Sequence, residues 1–236
     1  SDFNVRASYG WQGNVVENYG PDLIAELGRG RDFIDTRTGR YILKIKSLPY
    51  DNLRWEKTKS INLGIDFGVL KNRIAFSEEY YLKHTSDMIV SKAVPYEYGV
   101  LFMPINGGSM TNRGFEFTAS ITPIRTKDWV WSFSMNTAKN FNEIQSTIAE
   151  NQNWRAAAGG SVHKKGYPVG SFWAWNFAGL DPQGGYPLFN IPAKEEGANP
   201  LDATTYMTYA GTTEPDFSGG MSTVLRWKTL TLSASF

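Results

Sequence analysis

An all-β fold, an antiparallel membrane β-barrel present in part, is what this sequence predicts. Three observations carry that prediction. Apolar and polar residues alternate with period two along several segments. Very short turns alternate with long polar connections between those segments. Aromatic residues gather towards the segment ends. Residues 56–84 show the first feature best. Ile61, Leu63, Ile65 and Phe67 point one way, and Ser60, Asn62, Gly64 and Asp66 point the other. Such alternation means a sheet with one oily and one polar face. Long loops on one side and short turns on the other are the rhythm of a barrel that crosses a membrane.

Taken in order, the first strand is Asp2–Gly13, with Phe3, Val5, Ala7, Tyr9 and Trp11 on one face. A long segment rich in Gly, Asp and Arg follows, to about Arg54. Glu56–Gly68 and Arg73–His84 form a hairpin about the turn Val69–Asn72. A second long segment, Thr85–Asn112, contains Pro95, Pro104 and the turn signal Asn106-Gly107-Gly108. Arg113–Thr122 is the fourth strand. Asp128–Asn140 is the fifth, with Trp129, Trp131, Phe133 and Met135 on one face. A polar loop runs to about Gly166. Pro168–Gly179 reads as a sixth strand with bulk on both faces, and Tyr186–Asn190 as a short seventh. Another loop, Ile191–Pro215, precedes Phe217–Trp227 and a last strand carrying Leu230, Leu232, Ala234 and Phe236. All long connections then fall on one side of a membrane and all short turns on the other.

The bulk composition fits. Charged residues are 20% and the net charge is +1, which gives no electrostatic reason to expect nucleic acid. No apolar run is long enough for a transmembrane helix. Mean hydropathy of −0.37 suits a barrel, because only alternate residues meet lipid. There are 8 Trp and 12 Tyr. Tyr9 and Trp11 mark an outer girdle, and Trp129, Trp131 and Trp227 an inner one. With no Cys, disulfides and thiolate metal sites are excluded. No leader pattern is visible at Ser1, so processing or a preceding segment is expected.

Two expectations concern completeness and register. About nine strands is an odd number, whereas finished single-chain bacterial barrels use an even one. Residues 1–236 are therefore expected to be part of one transmembrane β-barrel domain, paired in lipid with the remainder of its own barrel, and Phe236 to fall inside a strand. Glu78 lies in register with Ile74, Phe76, Tyr80 and Leu82, on the lipid face. A bulge near Ser77–Glu79 would turn it inward; otherwise the register of this strand is different.

No catalytic constellation is present. His84 and His163 stand far apart, at a strand end and in a basic loop. Glu78-Glu79 and Glu195-Glu196 are adjacent pairs, which face opposite ways on a strand. No metalloprotease, hydrolase or phosphate-loop spacing occurs. An enzyme is not expected, nor is a cofactor. Ligand contacts are expected from loop aromatics, namely Tyr96, Tyr98, Phe102, Trp154, Tyr206 and Tyr209, for which loop packing is the plainer reading. Inward polar residues Asn4, Arg6, Asp66, Glu116 and Asn136 are expected to line a wet lumen or face a plug. Trp55 is expected near the outer boundary, with Glu56 and Lys57 pairing to neighbouring strands. Asn106–Asn112 is expected to make tight bends.

Several blocks resemble the SusC/RagA-type TonB-dependent transporters. Val5-Arg6-Ala7-Ser8-Tyr9-Gly10 with Gln12-Gly13-Asn14 is similar to the segment RxSYGxxGN. Leu53-Arg54-Trp55-Glu56-Lys57-Thr58 is similar to LxWEKT. Asn106-Gly107-Gly108-Ser109-Met110-Thr111-Asn112-Arg113-Gly114-Phe115-Glu116 is similar to NxGxMxNxGxE. Phe177-Ala178-Gly179-Leu180-Asp181-Pro182 and Pro215-Asp216-Phe217-Ser218-Gly219-Gly220 continue the likeness. The blocks span nearly the whole chain in family order. This resemblance implies about nine strands from the C-terminal half of a 22-stranded barrel, with the plug and other strands outside this chain. It further implies a place in a Gram-negative, Bacteroidota-type outer membrane and a SusD-like surface lipoprotein over the mouth. Energy would come through TonB–ExbB–ExbD, and the ligand would be an oligosaccharide or oligopeptide, that is, a glycan or peptide. A scaffold barrel of a larger envelope assembly and a soluble β-sandwich binding module remain the alternatives.

Overall fold

The computed structural model describes residues 2–15, 22–28, 30–50, 52–100, 102–146, 152–192 and 199–236, and the side chain of Tyr96 is also outside the description. Seven strands form one sheet: β1 (Asp2–Asn14), β2 (Glu56–Val69), β3 (Ile74–Ala93), β4 (Phe102–Arg125), β5 (Trp129–Ile144), β6 (Ser218–Trp227) and β7 (Leu230–Ser235). They lie side by side in chain order, each antiparallel to its neighbour. Residues opposite each other share a face. One row across the sheet therefore reads Phe3, Phe67, Phe76, Ala119, Met135, Met221. The row beside it, on the other face, reads Asn4, Asp66, Ser77, Thr118, Asn136.

The apolar face has no second layer of protein among the described residues. Leu63 is 49% exposed, Ile65 41% and Phe115 40%, although all three sit mid-strand. A soluble sandwich would bury that face against another sheet. No such layer covers it among the described residues, as expected of a face that meets hydrocarbon. Aromatics edge the face at both ends. Tyr9 and Trp11 meet edge to face, 6.2 Å between centroids, and Trp129 stacks on Trp227 at 5.7 Å. The indole N–H of Trp131 donates to Thr223 Oγ1 at 2.9 Å, so it is satisfied without water.

Two stretches depart from the sequence reading. Thr85–Asn112 is not a loop: β3 and β4 run on as a paired hairpin, Val90 opposite Ile105 and Ala93 opposite Phe102. Asn106-Gly107-Gly108 is strand, not turn. Pro104 is tolerated because β5 pairs with β4 only from Met110 onward, so this part of β4 is an edge. The expected sixth and seventh strands also fall outside the barrel sheet. Residues 168–190 form short strands, Ser171–Ala174 paired with Thr208–Thr212 and Asn176–Leu180 paired with Pro187–Asn190. The seven-stranded sheet thus replaces the expected nine, and the last two expected loops belong to one connection, 145–217.

The bulge expected near Ser77–Glu79 does not form. Pairing is unbroken from Ile74 to Ser86 against β2, and Glu78 stands on the apolar face between Ile65 and Phe117. At about 3.4 Å per residue and a tilt of about 40°, it lies roughly 10 Å above Ile74, within an apolar band of about 25 Å. A carboxylate there is unfavourable, though by less than the ~2–4 kcal/mol of a basic residue at the midplane. Glu78→Leu should raise barrel stability by about 1 kcal/mol, read as a higher urea midpoint for the full-length protein in lipid. A lower midpoint would mean that Glu78 has a partner on that face.

Candidate functional site

The outer ends of the strands carry a clamp built from the WEKT segment and the Asn106 block. β3 leaves regular pairing at Asp87, whose φ is 56°, and the register shifts on either side of Met88. The Asp87 carboxylate meets Arg54 Nη2 at 3.1 Å and Lys57 Nζ at 3.6 Å. Asn106 Nδ2 donates to Asp87 O at 2.7 Å and to Arg54 O at 2.8 Å, while Arg54 N donates to Asn106 Oδ1 at 2.7 Å. Glu56 accepts from Ile89 N and Asn14 Nδ2, both at 3.0 Å. Arg54, Glu56, Lys57 and Asn106 thus join four strands at the kink. Asn106 fixes a bulge rather than making a bend.

The polar face is a hydrogen-bonded wall. Asp66 accepts from Asn4 Nδ2 at 3.3 Å and Ser77 Oγ at 2.7 Å, and pairs with Arg6 Nε at 3.0 Å. Ser134 and Ser222 hydroxyls bond at 2.7 Å. Glu79 stands directly opposite Glu116, an arrangement that dry packing would penalise and a wet face accommodates. Tyr81 reaches across Gly114 to donate to Asn140 Oδ1 at 2.9 Å.

Above this wall the described residues of the connection 145–217 fold into a knob with its own core. The short helix α1 (Trp154–Ala158) starts at Asn153, whose side chain accepts from Ala156 N at 2.9 Å. Ala157, Val162, Ala203 and Met207 are fully or almost fully buried, with Trp173 beside them. Tyr167 lies 4.8 Å from Trp173 and 5.2 Å from Tyr209, and Lys164 sits over Trp173 at 4.9 Å. Trp175 stacks on Tyr206 at 5.1 Å and meets Phe189 at 5.5 Å. The knob is tied to polar-face residues. Val169 N donates to Asn142 Oδ1 at 2.6 Å, and Asn140 Nδ2 donates to the Glu214 carboxylate at 3.1 Å. Those anchors draw it over the wet side of the sheet, not the oily one. In the other outer connection, Asp35 accepts from the backbone N–H groups of Arg37 and Thr38, at 2.7 and 3.2 Å. These donors hold its carboxyl below the usual carboxylate range.

Asn4, Arg6, Asp66, Glu116 and Asn136 all lie on the polar face. The six loop aromatics divide into two places. Tyr206 and Tyr209 enter the knob, where Tyr206 packs on its core. Trp154 caps the same knob, 51% exposed, beneath the Arg155 guanidinium at 5.2 Å. Tyr98 and Phe102 sit at the tip of the β3–β4 hairpin, both more than half exposed; the Tyr96 side chain, like Glu195 and Glu196, lies outside the described residues. Tyr167, Trp173 and Trp175 were missed as knob residues. The signal was the bulk on both faces of 168–179, carried by Phe172, Trp173, Trp175 and Phe177. No group of metal-binding side chains occurs among the described residues.

Comparison with known proteins places this architecture. The family described as TonB dependent receptor-like, beta-barrel, matches residues 1–236. The TonB-dependent receptor SusC of Bacteroides thetaiotaomicron is 31% identical over 202 residues, 78% of this chain and 19% of SusC. TonB-dependent receptor P3 of Formosa agariphila is 27% identical, over 98% of this chain and 25% of that receptor. A solved structure of the RagAB peptide transporter superposes with a TM-score of 0.78 at 27% identity, covering 100% of this chain and 26% of that one. This chain therefore spans a fifth to a quarter of each relative's length.

Proposed function

We propose that this chain, which belongs to the TonB-dependent receptor β-barrel family, forms part of the wall and outer mouth of an outer-membrane nutrient importer. The family is one of receptors and transporters, not enzymes. The ligand is an oligosaccharide or an oligopeptide. Residues 1–236 belong to one barrel domain, completed by further strands and a plug beyond this chain. A SusD-like surface lipoprotein closes the mouth, and TonB–ExbB–ExbD drives release by pulling on the plug. The setting is the Gram-negative outer membrane, of Bacteroidota type.

One observation carries this reading. A lipid-facing sheet turns a charged, hydrogen-bonded face inward and holds an aromatic knob over that face by Asn140 and Asn142. The wall supplies a wet path lined by Asn4, Arg6, Asp66, Glu116 and Asn136. The knob and hairpin tip supply exposed rings, Trp154, Tyr98 and Phe102, that pack on a sugar face or a peptide side chain.

Uptake measurements test it. A strain lacking the full gene should lose uptake of one ligand class, oligosaccharide or oligopeptide, and regain it on complementation. Loss of envelope assembly with uptake intact would instead support the scaffold role. Complementation with Trp154→Ala should weaken apparent affinity roughly 2–10-fold, as loss of about 0.5–1.5 kcal/mol of ring stacking requires. Unchanged uptake by that variant would remove Trp154 from the ligand path.

A further inference from the structure

The outward face holds a basic cluster that lies apart from the polar face and the knob. Lys59 on β2 stands directly opposite His84 on β3, and His84 stands opposite Thr111 on β4. Arg113 is two residues from Thr111 on the same face, diagonal to His84. All three basic side chains are exposed. They share this face with Ile61, Leu63 and Phe115, so they look towards the membrane and not the barrel interior. Ten residues separate Lys59 from Val69, and His84 from Ile74. At about 3.4 Å per residue and about 40° of tilt, that is roughly 26 Å of height. The apolar band is about 25 Å tall, so these groups stand at its outer rim.

Their chemistry is poised rather than neutralised. Lys59 Nζ lies over the Trp11 ring at 4.4 Å and forms no ion pair among the described residues. His84 Nδ1 bonds Thr111 Oγ1 at 3.1 Å, which fixes the ring and frees Nε2. Arg113 forms no ion pair among the described residues. Lys139, farther along the same face, is engaged by Asp216 at 3.1 Å, and Glu143 stands opposite Thr111. Immediately below Arg113, Tyr80, Phe115 and Phe141 line a slot of ≈ 230 Å³ with Arg113 at its margin. An oily slot under an unpaired guanidinium fits an acyl chain beneath a phosphate. Arg presents paired donors to phosphate oxygens.

We propose that this rim is a binding site for a phosphorylated glycolipid of the outer leaflet. Its phosphate lies against Arg113, His84 and Lys59, and an acyl chain occupies the Tyr80–Phe115–Phe141 slot. Charge complementarity selects this occupant over a neutral lipid.

The test uses the full-length transporter, delipidated in mild detergent and titrated with phosphorylated lipid A, dephosphorylated lipid A or inorganic phosphate, with bound lipid counted by native mass spectrometry. Phosphorylated lipid A should bind about 10-fold or more tightly than its dephosphorylated form. Arg113→Gln, and separately Lys59→Gln, should erase most of that preference. Equal binding of both lipids, an unaltered preference in both variants, or displacement of the lipid by millimolar inorganic phosphate would overturn the proposal. Ligand uptake by Arg113→Gln should stay at the parent level, so failure of this site leaves the import reading standing.

Discussion

Gly114→Val should destabilise the barrel more than any other single change on the polar face, by about 2–4 kcal/mol. A Cβ at this position would lie 2.5 Å from Lys139 O and 2.6 Å from Tyr81 Oη. The first contact is backbone of the neighbouring strand and cannot rotate away. The second is the ring that crosses β4 to reach Asn140. Overpacking costs about 1–3 kcal/mol and the lost hydrogen bond about 1. Tyr81→Phe removes the hydrogen bond alone and should cost about 1 kcal/mol. Urea midpoints of the folded full-length protein in lipid would separate the two variants. Equal stability of parent and Gly114→Val would show that β4 does not pass so closely between Tyr81 and Lys139.

Asn106→Leu should release the outer hairpin while leaving the membrane wall intact. The substitution keeps the branching and number of side-chain heavy atoms and deletes three hydrogen bonds of 2.7–2.8 Å at the Asp87 kink. It leaves Arg54 N–H, Arg54 C=O and Asp87 C=O to find water. A loss of about 2 kcal/mol corresponds to roughly 30-fold faster local opening. Hydrogen exchange should therefore accelerate about that much in residues 88–93 and 102–108. Residues 57–69 should exchange as before. Unchanged exchange in the hairpin would mean that the Asp87–Arg54 and Asp87–Lys57 ion pairs hold the kink by themselves.

Where lipid enforces alternation, the strands could be read from sequence. Ile61, Leu63, Ile65 and Phe67 must all face hydrocarbon, so period two is strict and the hairpin around residue 70 is plain. Above the membrane that constraint disappears. Residues 88–108 are not bound by it, and Pro104 and Asn106-Gly107-Gly108 imitate a turn. Pro104 is accommodated by an edge, and Gly108 by crowding, since a Cβ there would lie 2.7 Å from Met88 Cβ. The bulk on both faces of 168–179 has the same origin. Trp173, in the strand Ser171–Ala174, serves the knob core, while Trp175, in the break before Asn176–Leu180, joins the Tyr206–Phe189 stack. The polar-face residues followed from alternation alone. The Asp87 clamp did not, because it joins residues 33 and 52 positions apart in the chain. Glu78 broke the pattern without a bulge: the pairing of thirteen residues with β2 outweighs one misplaced carboxylate.

The central claim is that one face of this sheet meets hydrocarbon and the other water. Single cysteines can be introduced along β2 from Lys59 to Phe67 in a full-length protein cleared of any other Cys, of which these 236 residues contribute none, and spin-labelled in bilayers. Collision with oxygen, which concentrates in lipid, should peak at Ile61, Leu63, Ile65 and Phe67, and collision with a water-soluble nickel chelate at Ser60, Asn62, Gly64 and Asp66. Low oxygen accessibility at all nine positions, with no period of two, would contradict the account.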